Sequence, residues 1–379
     1  MKISAENLAK LRIIRTQNIG PKTFHKLMRR YATALNALDA CGVWASEKFS
    51  LCSDTLLQRE LDMLHNAKAS LVFYGDDTYP AALRELPDAP IVLSVLGDVA
   101  HLARRQVAIV GNRSASAAGL AWTRTLATDL ARAGVCITSG LARGIDTAAH
   151  EGALLAGSPT IAVVAGGVDH IYPPENAALR GRIIEHGCVV SEQPWGMVPT
   201  ASLFPQRNRI IAGLSVGVVV SEATRHSGSL ITAECALGYG REVWAVPGTP
   251  SDQRSSGPNW LLKNGAALVE HAADILPQLP HSAAPYLVRY SPQANLFDDE
   301  GLAPLDDPMA LPEAPLGLET PPARTRLFAL LGHVPATFDE LLRQTGLSEA
   351  EANALLVELE LDGHATRDAD GRWRRGVSA

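Results

Sequence analysis

Aromatic residues make up only 5% of this 379-residue sequence, cysteines number five, and cations are outnumbered by acids. The five cysteines, Cys41, Cys52, Cys136, Cys188 and Cys235, are far apart and never paired as CxxC. That excludes a disulfide framework and a zinc module, and suits reduced thiols in a reducing cytosol. No uninterrupted apolar run is long enough to span a bilayer, and the opening residues MKISAE lack the apolar core of a secretory signal, so neither a membrane protein nor export by that route is expected. With 34 Lys and Arg against 40 Asp and Glu, the formal charge is −6. The whole molecule therefore does not attract nucleic acid or anionic lipid, and any polyanion site must be a local cluster of cations. The nucleotide signatures are also missing: no GxxxxGK[ST] occurs, the second and third glycines of GxGxxG are absent after Gly111, and no GxSxG elbow accompanies a serine. NAD, ATP or small-molecule cofactor chemistry is thus not expected.

What remains is the composition of an ordinary globular protein, 46% hydrophobic and 20% charged, long enough for two or three domains. Residues 1–68 carry apolar positions at helical spacing, with the breaker Asn18-Ile19-Gly20-Pro21, and predict a small helical domain of SAM or helix-hairpin-helix type. Residues 69–280 alternate short apolar runs with Gly- or Ser-rich turns and amphipathic stretches, the pattern of a doubly wound, mostly parallel, Rossmann-like α/β sheet. Strands are expected at 71–74, 92–96, 107–110, 135–138, 160–164, 189–190, 216–220 and 242–246. Residues 281–321 hold Pro285, Pro292, Pro304, Pro308, Pro312, Pro315 and Pro321 among seven acids, and read as a flexible, self-repelling linker. Helices over 325–331, 337–344 and 349–361, then a hairpin around Asp370-Gly371, predict a winged helix within 322–379.

In an open parallel sheet, ligands bind beyond the carboxyl ends of the strands, so the turns there matter most. They are Gly111-Asn112-Arg113-Ser114, Ser139-Gly140-Leu141-Ala142-Arg143-Gly144-Ile145-Asp146, and Ser221-Glu222-Ala223-Thr224-Arg225-His226-Ser227-Gly228-Ser229. Glycines let backbone amides approach a ligand, hydroxyls add donors, helix N-termini offer unpaired amides, and guanidinium forks match phosphate oxygens. This rim suits phosphate, although each arginine could instead pair with Asp146, Asp169, Glu192 or Glu222. Asp146 and His150 do not make a triad or a metal site, because no elbow and no third ligand accompany them.

Six motifs in order then resemble one family: VAIVGNR at 107–113, SGLARGID at 139–146 with Ala149-His150, TIAV at 160–163 with Ile171-Tyr172-Pro173, Phe204-Pro205 with RNRII at 207–211, Ser227-Gly228-Ser229 with Thr232-Ala233, and Val246-Pro247-Gly248. The set is similar to the DNA-processing protein A family (DprA, also called Smf) over about 71–275, and the flanking domains look like its accessory domains. The resemblance implies a cytoplasmic, homodimeric, non-enzymatic binder of single-stranded DNA that protects incoming DNA in natural transformation and loads the recombinase RecA. By position it implies a DNA pocket of Gly111, Arg113, Ser139, Gly140, Arg143, Gly144, Phe204, Arg207, Asn208 and Arg209, to which the rim turns add Asn112, Arg225, Ser227 and Gly228. Asn112 stands where the family commonly has Ser, and can still donate to phosphate.

With few aromatics, stacking at about 1–3 kcal/mol per base can come only from residues such as Phe204, Trp195 and Tyr172, so backbone contacts should dominate. About four engaged phosphates would give a slope on the order of −3 in log affinity against log salt. The Gly20-Pro21 turn with Lys22, Lys26, Arg29 and Arg30 suits either DNA contact or packing. The third helix of the tail carries Glu349, Glu351, Glu358, Glu360 and Asp362 and no cation, so a protein-docking or weakly duplex-touching role through the wing (Arg367, Arg372, Trp373, Arg374, Arg375) is expected rather than sequence reading. Two rivals stay open. One is a nucleotide phosphoribohydrolase-like enzyme with Glu234 as acid or base and Arg209 as its partner; the other is a mononucleotide sensor.

Overall fold

The computed structural model describes residues 3–45, 49–280, 322–332, 334–368 and 370–376; the stretch read as a linker, 281–321, lies outside them. Five helices come first, α1 (Ala5–Ile14), α2 (Pro21–Tyr31), α3 (Ala34–Asp39), α4 (Cys41–Trp44) and α5 (Asp54–Asn66). Ser4, Thr33 and Ser53 cap three of them by accepting backbone N–H bonds, which satisfies donors that a first turn leaves unpaired. Leu11, Ile13, Phe24, Ala34 and Leu57 form their shared core and pack on Phe73, Ile91 and Val92 of the sheet that follows.

That sheet has nine strands: β1 (Ser70–Phe73), β2 (Val92–Gly97), β3 (Gln106–Val110), β4 (Cys136–Ser139), β5 (Thr160–Val163), β6 (Cys188–Ser191), β7 (Gly217–Val220), β8 (Glu242–Ala245) and β9 (Ala267–Leu268). Their spatial order is β1-β2-β6-β5-β4-β3-β7-β8-β9. The seven from β6 to β9 run parallel, and β1 and β2 join antiparallel. All eight expected strands are present within a residue or two of their expected ends; β9, two residues long, was not foreseen because so short a run carries no periodic signal. β3 shows why the sequence yields a buried parallel strand. Successive side chains point to opposite faces, so Ala108 and Val110 enter one apolar cluster while Val107 and Ile109 enter the other.

Helices cover both faces: α6 (Ala81–Arg84), α7 (Ala117–Arg132), α8 (Ile145–Leu155), α9 (Ala177–His186), α10 (Leu203–Leu214), α11 (Gly228–Gly238), α12 (Ser256–Lys263) and α13 (Ala272–Ile275). Tyr239 and Leu261 are buried in the core. From β3 the chain winds to β6 on one side, then returns to lay β7 against β3's other edge. Ala108 pairs with Thr138 of β4 and with Val218 of β7. The switch point therefore lies between β3 and β7.

The tail is a winged helix of α14 (Ala323–Leu330), α15 (Phe338–Thr345), α16 (Glu349–Leu361) and the hairpin β10 (Ala365–Arg367) and β11 (Trp373–Arg375). Capping boxes open α15 and α16 at Thr337 and Ser348. Leu327 and Leu331 pack on Ala117 at the start of α7, and the buried Arg254 donates to the carbonyls of Ala329 and Leu331 at 3.1 and 2.8 Å.

Candidate nucleic-acid interface

A cleft of about 530 Å³ opens at the switch point, where an open α/β sheet is expected to bind its ligand. Its floor is Val110 at the end of β3 with Gly111 and Asn112 beyond it; one wall is Thr224, His226, Ser227, Gly228 and Ser229 beyond β7; the other is Phe204, Pro205, Arg207, Asn208 and Ile211 on α10. Arg113 stands at the mouth, exposed. A smaller recess continues past Gly140, His170, Tyr172 and Pro199, sharing Ala142, Phe204 and Arg207 with the cleft.

The loop carrying Arg113 is held from two sides. Asn112 N–H donates to the Glu222 carbonyl at 2.6 Å, and the Asn112 carbonyl accepts from Ile145 N–H at 3.2 Å. Gly144, at φ 75°, lies so close beneath this loop that a Cβ would come within 2.6 Å of the Arg113 carbonyl oxygen. Its left-handed backbone and this close approach both call for glycine.

Phe204 is the hub of the recess. The guanidinium of Arg113 lies 5.1 Å from its ring centroid and that of Arg207 lies 5.8 Å away. Tyr172 meets the same ring edge-on at 5.8 Å and is 41% exposed. Two cations and two aromatic faces are thus gathered where a phosphate and an unstacked base could lie side by side.

Arg207 itself is 6% exposed. Its Nη1 donates to the Val163 carbonyl at 2.7 Å. Burial pushes its guanidinium down to about 10, with Asp146 opposing and Arg113 adding to the fall, so it remains charged at neutral pH. Asp146 accepts from the Gly140 and Ala142 amides at 3.0 and 3.3 Å. Burial raises its carboxyl, against the pull of Arg207 and the two amides.

The amides do not all face the ligand as the turn pattern suggested. The Glu222 carboxylate occupies the start of α7, accepting from Ser116 N–H at 2.7 Å and from its hydroxyl, while Asp146 takes those after β4. Two internal carboxylates stand where phosphates were expected: Glu222 at the start of α7, where the helix favours an anion, and Asp146 on the amides of the turn before α8. The opening of α11 differs. Ser227 and Gly228 line the cleft, and Asn208 Nδ2 donates to the Gly228 carbonyl at 3.0 Å.

Of the residues singled out in the sequence, the structure brings together Gly111, Asn112, Arg113, Gly140, Phe204, Arg207, Asn208, Ser227 and Gly228. Five others stand apart. Ser139 is buried and spends its hydroxyl on the Ile109 carbonyl at 2.6 Å. Gly144 supports from below. Arg143 leaves the cleft to pair with Glu175 at 2.6 Å. Arg225 is exposed and stacks on Trp260 at 4.9 Å. Arg209 needs the clearest correction: it is ion-paired with Glu192 and donates to the Asp88 carbonyl at 2.6 Å, on the side of α10 away from the cleft. The segment holding it is helix α10, so positions 204, 207, 208 and 211 share one face while 209 is carried about 200° around from 207. Glu234, the rival acid, is exposed on α11, and neither it nor Arg209 lines the cleft. Thr224 and His226, in the rim turn the sequence marked, also line the cleft; sequence reasoning missed Tyr172's contact with Phe204 and the contribution of Ile211, for which the helical phase from Phe204 was a signal.

His150, also buried, keeps Nδ1 2.8 Å from Thr160 Oγ1. Burial and Arg207 hold its imidazole down to about 3, so it is neutral and structural. All five cysteines are free. Among the described residues, no His, Cys, Asp and Glu cluster suits a metal, and no helix is long and apolar enough to cross a membrane.

Residues 70–280 match the family described as DNA recombination-mediator protein A, 4–62 a DprA-like N-terminal HHH domain, and 311–371 the DprA winged helix domain. The chain is 38% identical to Protein Smf of Escherichia coli over 308 residues, covering 81% of this chain and 78% of that one. It is 43% identical to DNA processing protein DprA of Bacillus subtilis over 209 residues, 55% of this chain and 70% of that one. Among solved structures, DNA processing protein A from Streptococcus pneumoniae aligns with a TM-score of 0.63 at 33% identity, covering 74% of this chain and all of that one. DNA processing protein A from Helicobacter pylori, solved for its single-stranded DNA binding mode, aligns with a TM-score of 0.50 at 30% identity, over 56% and 95% of the two chains.

Proposed function

This chain belongs to the DNA recombination-mediator protein A family, whose members are DNA-binding and DNA-processing proteins rather than catalysts, and on that premise we propose that the switch-point cleft grips single-stranded DNA by its sugar-phosphate backbone. The observation that carries this reading is the Arg113–Phe204–Arg207 assembly beside the exposed Tyr172 ring. Arg113, at the mouth, takes phosphate. Arg207 is buried and supplies fixed positive potential from below; in a site shielded from water that field is little screened. Phe204 and Tyr172 offer faces to a base, which any base can use. The start of α11 lines the cleft with the Ser227 hydroxyl capping the Ser229 N–H, and the Gly228 amide beside it adds a donor to a neighbouring phosphate. Arg225, exposed beside Trp260 outside the cleft, becomes a steering charge, whereas Arg143 is neutralised by Glu175.

The biological reading extends this to a cytoplasmic homodimer that covers incoming single strands in natural transformation and passes them to RecA. Its support is the family together with a site suited to holding a strand without reading its sequence. The test is a gel-shift series with single- and double-stranded oligonucleotides, followed by nuclease protection and RecA strand-exchange assays on the bound strand. Preference for single strands, protection, and faster RecA loading are the expected results; a bound strand digested as quickly as a free one would contradict the protective role.

A further inference from the structure

Outside the cleft, helix α2 presents a surface for which the cleft has no use. Its sequence, PKTFHKLMRRY, holds four cations and no acid. At 100° per residue, Lys22, Lys26, Arg29 and Arg30 fall within one face, while Phe24, Leu27, Met28 and Tyr31 fall on the opposite one. The structure agrees: Phe24 is buried, Leu27, Met28 and Tyr31 pack against the N-terminal core, and the four cations are exposed. The neighbouring ion pairs, Arg12 with Asp54 and Arg15 with Glu60, do not involve them. An ordinary solvated face mixes signs, but here Lys and Arg outnumber Asp and Glu by eleven to six over residues 1–68, in a chain whose formal charge is −6.

The position of α2 matters as much as its charge. His25 lies 3.4 Å from the Ala89 carbonyl. The adjacent Asp88 holds Arg209 through its carbonyl and its carboxylate, and Arg209 projects from the back of α10, whose front lines the cleft. α2 is thus anchored one helix away from the proposed strand site. We propose that the basic face of α2 is a second contact for the same single strand, binding its phosphates where the strand leaves the cleft. The inference rests on the cleft being a single-strand site.

Charge complementarity selects the occupant. The face has no apolar patch that would suit a protein, and its length of about 12 Å from Lys22 to Arg30 can serve about two or three phosphates. A thread already seated in a cleft of about 530 Å³ supplies those phosphates without a second molecule, and tethering by the first contact raises their effective concentration at the second.

The experiment uses the full chain and labelled oligothymidines of about 4 and about 30 nucleotides, the shorter one having too few phosphates to reach α2 from the cleft. In the variant Lys22→Gln, Lys26→Gln, Arg29→Gln, Arg30→Gln, affinity for the longer strand should fall about tenfold and its salt slope should flatten by about 1–2, since each lost phosphate contact removes about 0.7. Affinity for the shorter strand should not change. The double variant Lys26→Gln, Arg30→Gln should give an intermediate loss, and it serves alone if the fourfold variant has a lowered melting temperature. An unchanged long-strand affinity, or equal losses on both lengths, would overturn the proposal. Loss confined to a duplex probe would do the same. If the wild-type chain fails to bind the shorter strand, it is the cleft reading that falls.

Discussion

Gly140 and Arg207 occupy complementary space: the Arg207 guanidinium lies where a Cβ on residue 140 would stand. A glycine between β4 and α8 is therefore what lets a buried cation reach the base of the cleft. Gly140→Ala should displace Arg207 and overpack the site, costing about 1–3 kcal/mol of stability and weakening oligonucleotide binding. Urea unfolding and fluorescence anisotropy measure the two effects; a variant unchanged in both would show that the close fit is incidental.

Arg113 and Phe204 touch each other but should fail differently. Arg113→Ala removes one phosphate contact, so affinity should drop with little dependence on base sequence and the salt slope should flatten by about 0.7. Phe204→Ala removes a stacking face, costing about 1–3 kcal/mol of binding with the slope unaltered. Titrations of both variants at three salt concentrations separate the roles. Identical slopes in the two variants would remove the distinction.

Arg209 is expected to matter for folding and not for binding. It is held between Glu192 and Asp88, both largely buried with it, and stripping one partner from such a group costs about 3–5 kcal/mol. Arg209→Ala should therefore melt earlier, yet bind oligonucleotide normally at low temperature. Weak binding by the folded variant would return Arg209 to the strand site.

His150 gives a pH dependence with a definite sign. Its imidazole falls from 6.5 to about 3 on burial, so between those values the unfolded chain binds more protons than the folded one. Stability from this group is full above pH 6.5 and is lost as pH falls toward 3, by about 2–3 kcal/mol at pH 4.5. His150→Gln should flatten the decline in unfolding free energy from pH 7 to pH 4.5. A decline as steep as in the wild type would assign it to other groups.

The sheet was readable because β-branched runs such as VAIV and TIAV can be buried on both faces only in a parallel layer, and the glycine- and serine-rich turns after them marked the rim. The rim's inner wiring was not readable. Glu222 and Asp146 compete with phosphate for the same amides, and only coordinates say which anion an amide faces. Arg209 was misplaced for a simpler reason. The family resemblance put Arg207 and Arg209 in one pocket by position alone, whereas helix α10 sends them to opposite sides, one to the cleft and the other to Glu192.

The most direct measurement is the affinity of the intact chain for an oligothymidine, and for a duplex of equal length, across a range of salt concentrations. A single strand held in the cleft by Arg113 and the start of α11, with about two or three further phosphates on α2, engages about four phosphates in all, so the chain should prefer the single strand and give a log–log slope on the order of −3. Equal affinity for the duplex, or a slope near zero, would contradict it.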